Sequence, residues 1–407
     1  MAERELLYYK KFYEEPLELN KPVPDKMVKD MYFCFACRTK HCRYICPVYK
    51  ELRNESYIAY GRHNALLSVA KGLETLGNLA NTMTYCLECN ACELRCPNTL
   101  FTADFYRYGT TPTDYTRKMR RDLLAQGVKP KGWGEVEKYI KEHMGYYEGP
   151  REDVTKWAEG LRLPKSGKTV LFIDYFTAFS ATDIARLIAK ILLAAHEKIA
   201  IIDHPGVTNG ELLDSDLKKW VEHGKHTIEA LKAAGAETVI IANPHEYSYF
   251  VRQYPKYLGS LPFNVVFVTD YVNDLVKKGA ITFKKSVDMV ATYHDPCALN
   301  KFCDVWESPR ELIRAIPGIK FVDEDHVSQW DYCCGNGTAT FRKVHPDISY
   351  RIGRSRLEKA LDLDAGNLIV SCPHCQDQFL DVKSKSKLPI EIKHIWELVA
   401  EAMGINK

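Results

Sequence analysis

The sequence predicts an α/β protein in which a helical, cysteine-rich N-terminal domain precedes a duplicated βα domain with parallel sheets. Three observations carry this expectation: tight cysteine clusters near the N-terminus, alternation of short apolar runs with helical periodicity beyond residue 160, and an internal repeat in the C-terminal region. At 407 residues the chain exceeds what one hydrophobic core supports, so two or three domains are expected.

The N-terminal element is read from its cysteines. Fourteen are present, in two zones, Cys34 to Cys96 and Cys297 to Cys375. Clusters of this kind in a large chain indicate metal ligation in a reducing compartment rather than a disulfide framework. Residues 1–20 open with Glu3, Arg4 and Glu5 and contain no apolar run of the signal-peptide type, so a cytoplasmic location is expected. The first run is Cys34-x2-Cys37-x4-Cys42-x3-Cys46-Pro47, and the second is Cys86-x2-Cys89-x2-Cys92-x3-Cys96-Pro97. The second has the bacterial ferredoxin spacing, in which three thiolates take three irons of a cubane [4Fe-4S] cluster and the fourth cysteine crosses to the other cluster. By that rule one cubane takes Cys86, Cys89, Cys92 and Cys46, and the other takes Cys34, Cys37, Cys42 and Cys96. The first run departs from the pattern by two extra residues between its second and third cysteines, in the stretch Arg38 to His41, a loop able to shift the potential of that site. A pair of zinc sites is the alternative, since C-x2-C pairs also suit tetrahedral zinc. Between the runs, Glu55 to Leu76 has helical spacing, with Leu66, Leu67, Val69, Ala70 and Leu73 as expected core.

Charge and hydropathy exclude other classes. A formal net charge of +3 gives no field that calls for a nucleic-acid partner. The most apolar helical stretch, Leu187 to Ile202, is interrupted by Lys190, His196, Glu197 and Lys198, so no direct membrane span is expected.

From Gly109 to Gly167 the chain is polar and punctuated by proline and glycine, which places a boundary near 160. The expected division is 1–110 for the two-cluster domain, 111–160 for a helical linker, 161–285 for a first, cysteine-free half, and 286–407 for a second half with an intact cysteine set. Strands are expected at Thr169 to Ile173, Lys198 to Ile202 and Thr238 to Ala242, with helices at Ala181 to Ala195 and Leu217 to Ala234; this alternation indicates a mostly parallel sheet. The duplication shows in TIEALKAAGAETVIIANPHEYSYF from Thr227, which aligns without gaps on RLEKALDLDAGNLIVSCPHCQDQF from Arg356. Pro244 then faces Pro373 and His245 faces His374. Upstream, His204, Pro205 and Gly206 fall on Cys333, Cys334 and Gly335; downstream, Val268 to Val276 resembles Ile392 to Ala400.

The second half supplies Cys297, the adjacent pair Cys333 and Cys334 followed by Gly335, and Cys372-x2-Cys375. Adjacent cysteines suit neither an ordinary disulfide nor two corners of one cubane, but they can hold two parts of a larger cluster, with Gly335 letting the backbone approach it. Cys297 follows the expected strand Val290 to Tyr293, and Cys372 follows Leu368 to Ser371. Carboxyl ends of parallel strands are where open α/β sheets build their sites.

The C-x35-CCG-x37-C-x2-C arrangement resembles the CCG cysteine-rich domain of the heterodisulfide reductase family. Behind two ferredoxin runs it is similar to the fused iron–sulfur subunit of membrane-bound heterodisulfide reductase, to the cytoplasmic iron–sulfur subunit of the membrane complex associated with dissimilatory sulfite reduction, and to the iron–sulfur subunits of glycolate and anaerobic glycerol-3-phosphate dehydrogenases. The resemblance implies a noncubane [4Fe-4S] cluster on Cys297, Cys333, Cys334, Cys372 and Cys375, with these cysteines as the catalytic set of a thiol/disulfide oxidoreductase subunit. It also implies partners: a flavoprotein, a membrane cytochrome b or quinone-reactive subunit, and a thiol or disulfide substrate, with the chain peripheral at the inner face of the membrane. The alternative is a pure electron relay between a flavoprotein dehydrogenase and a quinone-linked partner. Its grounds are the substitutions at His204, Pro205, Asn243 and Glu246 in the first half and the stretch CPVYKELRNESYIAYG from Cys46 to Gly61. No flavin or dinucleotide fingerprint is apparent, so any flavin belongs to a partner.

Weaker signals complete the reading. Cys303 lies outside the five-cysteine pattern and is read as packing. His294, Asp295 and His374 flank cluster cysteines as proton donors or as orienters of the turn, and Trp306 and Trp330 as cover or core. His204, His245 and Glu246 are read as structural and metal-free.

Overall fold

The computed structural model describes residues 25–96, 112–143, 152–203, 210–324, 331–338 and 340–405. Pro97, His204, Pro205, Gly206 and Trp330 lie outside the described residues. The described residues group into two units. One holds those up to 143 together with 210–219 and 332–353, and the other holds 152–203, 220–331 and 354–405.

The first unit is helical. Helices Asp25–Ala36, Ala59–Ala70 and Pro112–Ala125 contribute Met31, Leu66, Leu67, Tyr115, Met119 and Leu123 to one core. Tyr115, Met119 and Leu123 recur every four residues and so form one stripe of their helix. The first helix of the stretch expected as a linker is therefore part of the N-terminal core. The helix between the cysteine runs is shorter than its periodicity predicts. It stops at Ala70 because Gly72, at φ 69°, turns the chain so that the Leu73 N–H donates to the Ser68 carbonyl at 2.9 Å. Leu73, expected in the core, is 80% exposed.

The described residues of the second unit include eight strands: β1 (Thr169–Phe172), β2 (Ile199–Ala200), β3 (Thr238–Ile241), β4 (Asn264–Phe267), β5 (Met289–His294), β6 (Ile319–Phe321), β7 (Asn367–Val370) and β8 (Glu391–His394). They form two parallel sheets, ordered β2-β1-β3-β4 and β6-β5-β7-β8. The strands are brief apolar runs because both faces of such a sheet are covered. The two orders are the same order, so the duplication is architectural as well as textual.

Both sheets contribute to a shared core that includes Leu171, Ile240, Tyr293, Ile369 and Trp396. The helices between them meet in pairs that survive exchange of the halves. Thr182–Ala194, after β1, packs on Ile395–Met403, after β8; Glu307–Ala315, after β5, packs on Val268–Lys277, after β4. The halves are therefore related by a pseudo-twofold axis. Strand pairing also sharpens the repeat. Thr169 pairs with Thr238 and Ala291 with Asn367, so Tyr175 in the first half corresponds to Cys297 in the second. Downstream, the helix that begins at Val268 corresponds to the one that begins at Ile395, not to Ile392. The sequence match slips there by three residues, because an apolar helical face looks much the same after a shift of three or four.

Candidate metal centres

The two cysteine runs belong to the first unit and are held differently. Cys34 sits in the last turns of helix Asp25–Ala36, with its sulfur 3.0 Å from His63 Nδ1. Burial and the neighbouring Arg62 lower the His63 imidazole to about 3, so the ring is neutral. The extra residues of the first run form a turn closed by Lys40 in the left-handed region at φ 46°. The ammonium of Lys40 and the guanidinium of Arg43 pin it to Glu55 at 2.7 and 2.9 Å. Phe35 and Tyr44, beside this run, are 63% and 62% exposed.

The second run is enclosed. Cys86 and Cys89 are buried, and Glu88 and Asn90, on either side of Cys89, both take left-handed backbone at φ 54° and 61°. Such backbone is costly for residues other than glycine and needs surroundings that enforce it. Here Arg120 donates to the carbonyls of Met83 at 2.9 Å and Cys86 at 3.0 Å, while Arg117 and Arg120 ion-pair with Glu88 and Arg120 with Asp214. All four charged side chains are buried. Burial works against the Glu88 carboxylate, yet the two guanidinium groups hold it below its ordinary range, whereas burial and the charge of Glu88 push Asp214 well above.

Arg62 lies among the cysteines of both runs. Its Nη2 donates to Cys86 Sγ at 3.4 Å, and its charge also acts on Cys42, Cys46 and Cys92. Burial pushes the Cys42 thiol up to about 12 and raises Cys46 and Cys92 as well. Cys42 is close enough to Cys46 and Cys96 to feel their charge, and Cys46 feels Cys86. A nest of buried sulfurs that the protein alone leaves protonated is a donor set for a strongly cationic group, which deprotonates coordinating thiols outright. These residues fit iron–sulfur clusters.

In the second unit, the order β6-β5-β7-β8 puts a topological switch point between β5 and β7, the place where open α/β sheets bind ligands. Cys297 begins the helix after β5; Cys372 caps the helix after β7, with Cys375 in its first turn. Cys372 and Cys375 are buried. Burial alone would raise the Cys372 thiol, but hydrogen bonds from Cys375 and His245, with the nearby charge of His245, outweigh it and bring the group to about 5. This thiol is poised as a thiolate donor, and the set fits a cluster. Cys333 and Cys334, also buried, group with the first unit, where Gly335 takes φ 97° and a Cβ on it would meet the Ser349 carbonyl at 2.6 Å. Only glycine is accommodated after the cysteine pair.

Of the flanking residues, His294 offers a ring nitrogen within 4.8 Å of the Cys375 sulfur, and its Nδ1 is 3.3 Å from Asp331. Despite burial, the charges of Arg356, His294 and Lys301 hold Asp331 well below the usual carboxylate range. Asp295 is locked to Arg310 by two bonds of 2.8 and 2.6 Å, which makes it an orienting group. His374 stacks on Phe176 at 3.8 Å and meets the His245 ring at 4.8 Å. Trp306 precedes helix Glu307–Ala315 and lies beneath Arg310. Sequence reading missed the roles of Arg62, His63 and the Arg117–Arg120 pair. The available signal was the Arg62-His63 dipeptide on the helical pattern that also places Leu66 and Leu67 in the core.

Residues 30–100 match the 4Fe-4S dicluster domain family, and residues 291–379 match the CCG cysteine-rich domain family. Among curated proteins, a dihydromethanophenazine:CoB–CoM heterodisulfide reductase subunit of Methanosarcina acetivorans is 29% identical over 79% of this chain and 78% of its own length. A fumarate reductase (CoM/CoB) subunit of Methanothermobacter marburgensis is 23% identical over 92% of this chain and 72% of its own. A hypothetical protein from Helicobacter pylori shares the fold, with a TM-score of 0.51 at 13% identity over all of this chain and 78% of that one. Among the described residues no helix is long and apolar enough to cross a membrane. The chain thus carries a match to the 4Fe-4S dicluster domain followed by one to the CCG cysteine-rich domain, and over most of its length it is similar to the heterodisulfide reductase subunits of Methanosarcina.

Proposed function

We propose that this chain is the iron–sulfur electron-transfer subunit of a heterodisulfide reductase-like complex, in which two cubane [4Fe-4S] clusters exchange electrons with a noncubane [4Fe-4S] cluster where a disulfide is reduced or thiols are oxidised. The observation that carries this reading is the pair of cysteine-bearing turns at the β5/β7 switch point. Cys86, Cys89, Cys92 and Cys46 would hold one cubane, and Cys34, Cys37, Cys42 and Cys96 the other. Cys297, Cys333, Cys334, Cys372 and Cys375 would hold the noncubane group. Clusters so bound supply one-electron transfer. Cleaving a disulfide takes two electrons and two protons and leaves two thiols, so a proton donor is needed beside the sulfur. The closeness of His294 to Cys375 supports it in that role, with Asp331 fixing the ring.

A second reading has its own observation. In the first half Tyr175, Asn243 and Glu246 stand where the second has Cys297, Cys372 and Cys375. With one cysteine set, the chain serves as a relay between a flavoprotein dehydrogenase of the 2-hydroxy acid, glycerol-3-phosphate or acyl-CoA type and a quinone-linked membrane partner, docked at the cytoplasmic face.

Anaerobic purification tests both. About twelve irons and matching acid-labile sulfide per chain are expected, as three four-iron clusters require; a zinc-only preparation would overturn both readings. Under the first reading, adding a thiol to the oxidised protein perturbs a paramagnetic signal, and Cys333→Ser abolishes turnover by the complex. If the signal is unmoved and turnover persists, the relay stands. Co-purification of a membrane cytochrome b subunit favours the first reading, and of a flavin oxidase-type subunit the second.

A further inference from the structure

The cysteine-free half reaches into the cysteine site of the other half. The pseudo-twofold relation packs helix Pro244–Ser248, which follows β3, against helix Cys297–Cys303, which follows β5. The exchanged contact is the stacking of Phe176, after β1, on His374, after β7. His245 occupies in the first half the position of His374 in the second, and the two rings meet edge to face at 4.8 Å. His245 is also hydrogen-bonded to the Cys372 sulfur. Its backbone is fixed independently, since its N–H donates to Asn243 Oδ1 at 3.0 Å.

We propose that His245 is a positioning residue of the second half's cysteine site, donating an imidazole N–H to the Cys372 sulfur and so raising the reduction potential of the group that Cys372 ligates. This rests on the reading of Cys372 as a cluster ligand. Hydrogen bonds to cluster sulfurs are among the terms that set potential, because they stabilise the more negative, reduced state. A bond to a charged sulfur in a buried site exceeds an ordinary neutral one in strength. The first half has then lost its thiolates and kept a part in the site, aiming one side chain at the sulfur that its partner half retains.

The test is a redox titration of the anaerobically purified full chain, following each paramagnetic centre, with His245→Leu and His245→Gln beside the parent. In His245→Leu the third centre keeps its iron, and its oxidised-to-reduced ratio at a fixed ambient potential rises about tenfold, which is 59 mV for a one-electron couple. The other two centres stay where they are. His245→Gln, which retains an N–H donor, restores most of the shift. A third centre present at unchanged potential in His245→Leu overturns the proposal and leaves the assignment of Cys372 standing. A shift in His245→Leu that His245→Gln repeats in full assigns His245 to packing alone, and also overturns it. Absence of any third centre in the parent chain overturns the cluster assignment, and the proposal falls with it.

Discussion

After β3 the chain reads Asn243, Pro244, His245, Glu246; after β7 it reads Cys372, Pro373, His374, Cys375. The backbone treats them alike, since both turns open a helix with proline at its first position. The side chains do not. In the first half the switch point is closed by its own hydrogen bonds. Asp174 accepts from the Thr177 N–H at 3.0 Å, Asn243 Nδ2 donates to Thr177 Oγ1 at 3.5 Å, and Asn243 caps its helix through the His245 N–H. In the second half neither Pro296 nor Cys372 caps its helix with a side chain. The capping positions that the first half fills with a carboxylate and an amide, Asp174 and Asn243, are given in the second half to a proline and a sulfur, Pro296 and Cys372.

Metal content should separate the halves most sharply. Cys372→Ser is expected to lose about four irons per chain, whereas Asn243→Ser retains all of them, as measured by iron and sulfide analysis. Equal losses would abolish the distinction. Next in size is an acid effect confined to the second half. His394, the residue before helix Ile395–Met403, accepts the Trp396 N–H on Nδ1 in a capping box with Glu397; its counterpart before Val268 is Phe267, which cannot titrate. Burial lowers His394 from its ordinary 6.5 to about 4. The unfolded chain therefore binds the proton more readily, so the contribution of His394 is complete above pH 6.5 and is lost as pH falls toward 4. The loss is roughly 2 kcal/mol by about pH 5. Urea unfolding of the parent and of His394→Asn, which caps without titrating, should diverge in pH slope over that window; parallel slopes would discount the histidine. The smallest effect belongs to the first half, where Asn243→Ala removes a cap and should cost about 1 kcal/mol at any pH between about 5 and 8, read from the same unfolding curves.

Much of this was legible in the sequence because the signals are local. Cysteine spacing is dictated by the size of the group to be held, and the buried strands declare themselves as short apolar runs between helical patterns. The aligned Pro-His pairs made the duplication visible. Other features depend on packing between distant segments, which no spacing encodes. Tyr175 gave no sign of standing opposite Cys297, because only strand register equates them. His245 read as a structural residue, since its partner Cys372 is brought to it by the pseudo-twofold relation. The slip at Val268 came from helical periodicity, and Leu73 was misplaced because Gly72 ends the helix one step earlier than the apolar pattern does. Arg120 lies in the polar stretch beyond residue 109, where nothing local signals that Glu88 and Asp214 close around it.

The buried knot of Glu88, Arg117, Arg120 and Asp214 bears on how the protein is assembled. A turn shaped by four charged side chains and two carbonyl bonds needs no iron to hold it. That turn carries Cys86 and Cys89, both buried, while Cys92 and Cys96 of the same run are partly exposed like the four cysteines of the first. The turn of the second run is set by buried charge, which salt screens little, whereas the loop of the first rests on partly exposed ion pairs at Glu55, which salt weakens first.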